Sequence, residues 1–180
     1  MGEVGGRRSE AGMAVALVLA LALGVTTAAE TIDRVLAVVA GQLIMLSDVN
    51  AVRDLGIVTP APGADAVASV LSQLIDRELM LAEVDRYAPP EPETAEIDKA
   101  FAAVRARFPS DKAFNDVLAR SGFAAAHVRE IVRQNLRLRA YLDQRFTAPD
   151  GNQQRRQMLI DDWVASLRRR TPAINLYQPS

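Results

Sequence analysis

The chain has 180 residues, 49% of them apolar and 24% charged, with 21 Lys+Arg against 22 Asp+Glu, one His, one Trp and no Cys. That composition excludes a disordered chain and a multi-span membrane protein, and the length fits one ordinary domain. Without Cys there are no disulfides, no thiol catalysis, no thiolate metal site and no lipidated Cys. With His127 alone, a His-rich metal site or a Ser/His triad has at most one candidate.

Arg7 and Arg8 precede an apolar run from Ala14 to Val25, followed by Thr26-Thr27-Ala28-Ala29. A basic start, a short apolar core and small residues make residues 1–29 a predicted secretory signal peptide, with cleavage after Ala28 or Ala29. The core run would span about 18 Å as a helix, short of the roughly 30 Å hydrocarbon layer. The rival reading is an uncleaved anchor, since Ala11 to Ala29 carries no charge. No Phe-Leu follows the Arg pair as in a twin-arginine signal, so the general export route is expected.

The mature region predicts a short hairpin and then helices. Ile32–Val39 and Leu43–Met45 are β-branched and apolar, separated by Ala40-Gly41-Gln42, where Gly41 supplies a positive φ. Ser47 is the predicted N-cap of a first helix, with Asp48 in its first turn. That helix runs to about Leu55 and breaks before Pro60, Pro62 and Gly63. The second helix, about Asp65 to Tyr87, carries a wide apolar stripe (Val67, Val70, Leu71, Leu74, Ile75, Leu79, Met80) and is expected to pack on two sides. Pro89, Pro90 and Pro92 end it.

A third helix from about Glu93 places Ile97, Phe101, Val104 and Phe108 on one face. A fourth spans Asp111 to Arg120, with Phe114, Val117 and Leu118 inward and Gly122 as terminator. The fifth, about Ala124 to Phe146, has Val128, Ile131, Val132, Leu136, Leu138, Tyr141 and Leu142 as apolar positions. After the polar break 147–152, a last helix runs to about Arg170 with Leu159, Ile160, Trp163, Val164 and Leu167 on one stripe. Pro172 ends it, and Ala173–Tyr177 offers a short strand. The predicted class is mainly α: a hairpin, about six helices around one core, a closing Trp-bearing helix and a possible final strand.

The net charge of −1 conceals a division. Residues 30–100 hold 5 basic and 13 acidic groups, whereas residues 101–180 hold 14 and 7. Halves of opposite sign either fold onto one another or present docking faces. Arg129, Arg133, Arg137 and Arg139 would suit nucleic acid, but export argues against that partner.

No residue set makes an active site. His127 has no positioned nucleophile, and no Ser lies in a Gly-x-Ser-x-Gly turn. Glu91, Glu93, Glu96 and Asp98 fall at a helix start, where acids complement the dipole, without the spacing of a calcium loop. Asp161 and Asp162 are adjacent on a helix and point apart. Arg168, Arg169 and Arg170 occupy a last helical turn, where cations are favoured, with an anionic-membrane contact as the other reading.

The order of elements carries a resemblance. The segment from Asp33 to Val49, with Val35 and Val38 in a strand, Gly41 in a turn and Ser47-Asp48 at a helix start, resembles the opening of SurA-type periplasmic chaperones. The run Leu74 to Leu81, the helix start Glu93 to Asp98, Gly122-Phe123 with Arg129 and Arg133, and Trp163 to Leu167 and Arg168 with Ile174 are similar to later segments of that family, in the same order. Family members usually carry parvulin-type prolyl isomerase domains of about 100 residues between the long helix and the Trp-bearing helix. Here residues 147–152 fill that place. Ala40-Gly41 replaces an often Asn-containing turn, and Pro172 interrupts the approach to the final strand.

The resemblance implies residues 30–146 as the chaperone domain, 153–180 completing its core, and a periplasmic location. It implies binding of unfolded or extended polypeptides, outer-membrane proteins first among them, without catalysis, cofactor or ATP. The membrane enters only through the signal segment or an anchor. The alternatives are an adaptor or subunit of the envelope assembly machinery and a minimal prolyl isomerase. A tolerant apolar crevice suits flexible side chains. Ile44 at the hairpin edge, Met80 and Met158 are its candidate lining, each also having a core reading.

Overall fold

The computed structural model describes Gly2, residues 33–147 and residues 151–179. Apart from Gly2, the predicted signal peptide lies outside them, and residues 33–180 form a unit of their own. The described elements are β1 (Val35–Val39), β2 (Gln42–Met45), α1 (Leu46–Asp54), α2 (Ala66–Tyr87), α3 (Thr94–Arg105), α4 (Asp111–Ser121), α5 (Ala125–Arg145), α6 (Gln153–Arg170) and β3 (Ile174–Asn175). The architecture is mainly helical, with an N-terminal hairpin and a C-terminal strand.

The hairpin turn is two residues, not three. Ala40 and Gly41 have φ of 48° and 82°, the two positive values a twist-matched tight turn demands. Gln42, expected in the turn, pairs with Val39. Val38 then faces Leu43 and Ala37 faces Ile44, and an irregularity between Val35 and Ala37 bends the strand.

Ser47 is not the cap of α1. The ladder continues past the strand through the Leu46 N–H to the Arg34 carbonyl, 2.8 Å, so the chain turns into helix directly and Met45 becomes the N-cap. The Asp48 carboxylate accepts from the Met45 N–H at 2.7 Å. Ser47, inside the first turn, donates its hydroxyl to Asp33 instead, and its N–H reaches the same carboxylate at 3.2 Å. A tertiary partner has outcompeted the local capping role.

Helix α2 is the axle of the fold, packing against α1, α5, α6 and both hairpin strands. Asp65 caps it by accepting from the Val67 and Ala68 amides at 2.8 and 3.0 Å. It ends at Ala88, which adopts the left-handed φ of 44° just before the prolines. The Ser110 hydroxyl caps α4 and Gly122, φ 69°, terminates it. The expected stripe of α3 ends early: the helix stops at Arg105, but Phe108 beyond it still seats its ring 5.5 Å from Phe114.

Two buried clusters replace the single core expected. The first joins Leu36, Val39 and Ile44 to Val49, Leu71, Val84, Leu138, Trp163 and Leu167, so α6 closes onto the hairpin and α2. The second gathers Leu55, Ile97, Val104, Phe114, Leu118 and Val128 among α1, α3, α4 and the start of α5. Half-buried Ile57 packs against both. Helix α5 serves both clusters: Val128, Val132 and Leu136 join the second, and Ile131, Leu138, Tyr141 and Leu142 join the first.

The strand after Pro172 forms, though it is short. Val38 pairs with Ile174 and Ala37 with Asn175, antiparallel, and the Leu176 N–H bonds the Leu36 carbonyl at 2.9 Å. The tail is clasped by Tyr177, whose hydroxyl donates to Asp65 at 2.7 Å and whose ring lies 5.7 Å from the Arg34 guanidinium. That hydroxyl, with the Ala68 and Val67 amides, holds the Asp65 carboxyl below the usual range.

Candidate polypeptide-docking face

The sheet order is β2-β1-β3, so β1 is central and, among the described residues, each outer strand is paired along one side only. Strand residues alternate between faces. Ala37, Val39 and Ile44 point into the first core. Val38, Leu43 and Ile174 occupy one register across the three strands and point the other way. Leu43 is 58% exposed, Ile174 60% and, two residues on, Leu176 54%, with Val38 half-buried between them. The outer face of the sheet therefore carries an apolar row.

The β2 edge also carries none of the usual safeguards in its own sequence. Exposed sheet edges are usually blunted by charge, Pro or a covering element, whereas β2 reads Gln42-Leu43-Ile44-Met45 with no charge and no Pro. The opposite edge is short, two paired residues, with Pro172 just ahead of it.

These facts revise the expected crevice. Ile44, placed at an exposed edge by sequence, is only 4% exposed and packs in the core; the solvent-facing residue is its neighbour Leu43. Met80 is half-buried against the first cluster. Met158 is exposed on α6, outside that cluster, and does not join the other two. Leu159, expected inward, is exposed beside it. Leu43 and Ile174 were missed because two apolar faces leave the parity of a strand ambiguous; the Val38–Leu43 pairing across a two-residue turn was the available signal.

The other marked residues have structural partners. Val35 and Val38 lie in β1, Gly41 forms the turn, and Trp163 and Leu167 are buried under the sheet and α2. Burial and the neighbouring Asp33 push the Asp48 carboxyl up, against the Met45 amide. The His127 Nδ1 accepts the Ala124 N–H at 3.2 Å, completing the start of α5. Glu91 pairs with Arg133 and Arg137, and Asp98 with Arg129. Arg137 also meets Asp85 at 2.8 Å. Arg168 grips Asp76 through two bonds of 2.5 and 2.8 Å, and Arg170 reaches Glu83 at 3.3 Å.

The acidic and basic halves thus neutralise one another inside the fold. Arg168 and Arg170, expected to cap their own helix or meet an anionic surface, instead tie α6 to α2. Among the described residues no His, Asp and Glu cluster is arranged to hold a metal ion, and no helix is long and apolar enough to cross a membrane. A cleft of about 230 Å³ beside Phe108 is lined by Arg105 and Asp111, which pair with each other at 2.7 Å. No family model and no curated protein matches the chain.

Proposed function

We propose that this chain is an exported, non-catalytic holding protein that binds extended or unfolded polypeptides on the outer face and β2 edge of its sheet. The observation that carries the reading is the exposed row Leu43, Val38, Ile174 with Leu176, beside a strand edge free of charge. An extended peptide meets such a surface in two ways: its backbone can pair along the free edge, and alternate side chains can lie on the apolar face. Covering side chains that are already partly buried contributes on the order of 1 kcal/mol each. Binding is therefore weak and tolerant, which suits a holding function better than a specific pocket would.

The resemblance to SurA-type chaperones adds the compartment and the client class: the periplasm, and outer-membrane proteins in transit. The short break at 147–152, where that family carries its isomerase domains, supports a binding role without prolyl isomerisation. The charge pairs linking the two halves count against wide charged faces for an assembly partner.

The test is suppression of aggregation of an unfolded outer-membrane β-barrel protein diluted from urea. The mature chain suppresses it at near-stoichiometric ratios, and Leu43→Lys with Ile174→Lys abolishes suppression while leaving far-UV dichroism and the melting temperature unchanged. Full activity in the double variant removes the sheet face from the reading. No suppression by the wild-type chain, with a single folded partner co-purifying, favours the adaptor alternative. Acceleration of prolyl isomerisation in a peptide substrate overturns the non-catalytic assignment.

A further inference from the structure

The end of α2, the end of α5 and the middle of α6 gather aromatic rings around the chain's single Trp. The Tyr87 and Tyr141 centroids lie 5.7 Å apart, Tyr141 and Trp163 5.8 Å, and Phe146 and Trp163 5.4 Å. The Arg145 guanidinium rests on three of these rings, 6.0 Å from Tyr87, 5.9 Å from Tyr141 and 5.7 Å from Phe146. Arg133, Arg137, Arg156, Arg168 and Arg170 all hold carboxylates. Among the described residues no carboxylate pairs with Arg145, and its side chain is exposed.

The second observation is independent of the first. Tyr141 is 6% exposed, and its hydroxyl is buried without a well-formed hydrogen bond, the Arg145 guanidinium being the polar group that bears on it. Buried hydroxyls are normally paired, and one left alone carries the full cost of its lost hydration. The one acid that bears electrostatically on it, Glu83, is engaged by Arg170 and Arg86. The cluster therefore offers a guanidinium and a phenol O–H and, among the described residues, no free carboxylate for either. Tyr87, 59% exposed, forms the open wall beside them.

An oxyanion is the complement of two such donors: a carboxylate accepts a charge-assisted bond from a guanidinium and a second from a phenol. The exposed ring of Tyr87 favours a flat or apolar group next to that carboxylate. Arg145 is exposed, lies over the Tyr141 ring and pairs with no carboxylate among the described residues, so its guanidinium is free to turn toward a ligand. We infer that Arg145, Tyr141 and Tyr87 form a binding site for a carboxylate carried next to an aromatic or apolar group. The site does not rest on the docking reading of the sheet. Such a carboxylate is borne either by a small aromatic acid or by the carboxyl terminus of a polypeptide.

Trp163 sits against Tyr141 and Phe146 and is the only Trp, so its emission reports the site directly. The folded chain is titrated with N-acetyl-phenylalanine, its amide and inorganic phosphate. The acid gives a saturable change in Trp163 emission, and the amide and phosphate give none over the same range. Arg145→Gln weakens the acid about tenfold or more, and Tyr141→Phe several-fold, as losses of charge-assisted bonds. Both variants are checked to melt as cooperatively as wild type. A short peptide acid ending in the same residue binds more tightly than the free acid if chain ends are the ligand, and equally if small acids are. Absence of a saturable change, equal binding of acid and amide, binding of phosphate as tight as that of the acid, or indifference of the acid to both substitutions overturns the assignment.

Discussion

Replacing Tyr141 by Phe is expected to make the protein more stable, and the reason is local. The hydroxyl is buried without a well-formed hydrogen bond in a residue only 6% exposed, with the Arg145 guanidinium the polar group that bears on it. The ring contacts with Tyr87 and Trp163 survive the substitution, since they are made by carbon. A buried polar group without a partner costs about 1–3 kcal/mol, so removing it alone should return about 1 kcal/mol. For a domain of this size that raises the melting temperature by about 2–4 °C. Urea unfolding followed by Trp163 emission and far-UV dichroism should show a higher midpoint with an unchanged slope.

Alkaline pH supplies a second arm. Burial pushes the Tyr141 hydroxyl up from its ordinary value near 10, opposed by the nearby Arg145. The native state then holds that proton more tightly than the unfolded chain, so its contribution is complete below about pH 10 and is lost as pH rises through the native value. Wild type should therefore lose stability above pH 10 that Tyr141→Phe keeps. A lower midpoint in the variant would mean that the hydroxyl has a partner, and the reasoning would fail.

Ser47→Ala should cost about 1–2 kcal/mol by removing the hydroxyl bond to the Asp33 carboxylate, whereas loss of a mere helix cap would be rescued by Asp at the same position. Asp there sets a second carboxylate against Asp33, so Ser47→Asp should melt no higher than Ser47→Ala. Glu91→Ala should cost about 1–2 kcal/mol, measured by urea unfolding, because Arg137 is buried and left with Asp85 alone. The half-exposed Glu91 carboxylate keeps that cost below the figure for a fully buried pair. Ala40→Asn should raise stability by about 0.5–1 kcal/mol, since Asn tolerates the φ of 48° better than Ala. Gly41→Ala should lower it by about 1 kcal/mol through backbone strain alone, because a Cβ there meets nothing within 4 Å.

Much of this fold is legible in the sequence because its punctuation is strong. Pro89 and Pro90, Gly122 and the Asn152–Gln153 boundary mark helix ends by removing a donor, allowing a left-handed turn or capping a start, all local effects. The face formed by Ile97, Phe101 and Val104 is equally local. What escaped depends on partners far along the chain. Ser47 looks like a cap until Asp33 takes its hydroxyl. Ile44 and Leu43 are both apolar, so only strand pairing decides which one meets solvent. The opposed charges of the two halves were visible as a sum, yet nothing nearby in sequence joins Arg168 to Asp76 or Arg137 to Glu91. The cluster of Tyr87, Tyr141 and Trp163 is assembled from three helices and left no trace in any one of them.

The pairing of β1 with β3 sets an order on folding. The hairpin can close in about 1–10 μs, being local, yet the second edge of β1 waits for Ile174 and Asn175 at the far end of the chain. Closing so long a loop is entropically expensive and slows the final step. Until the tail arrives, Ala37 and Val38 present an open apolar edge, the species most exposed to misassociation. The Tyr177 hydroxyl on Asp65 and its ring against Arg34 then act as the latch on the last element to dock. Refolding should accordingly show early hairpin and helix signals, with burial of Trp163 tracking the late capture of the tail.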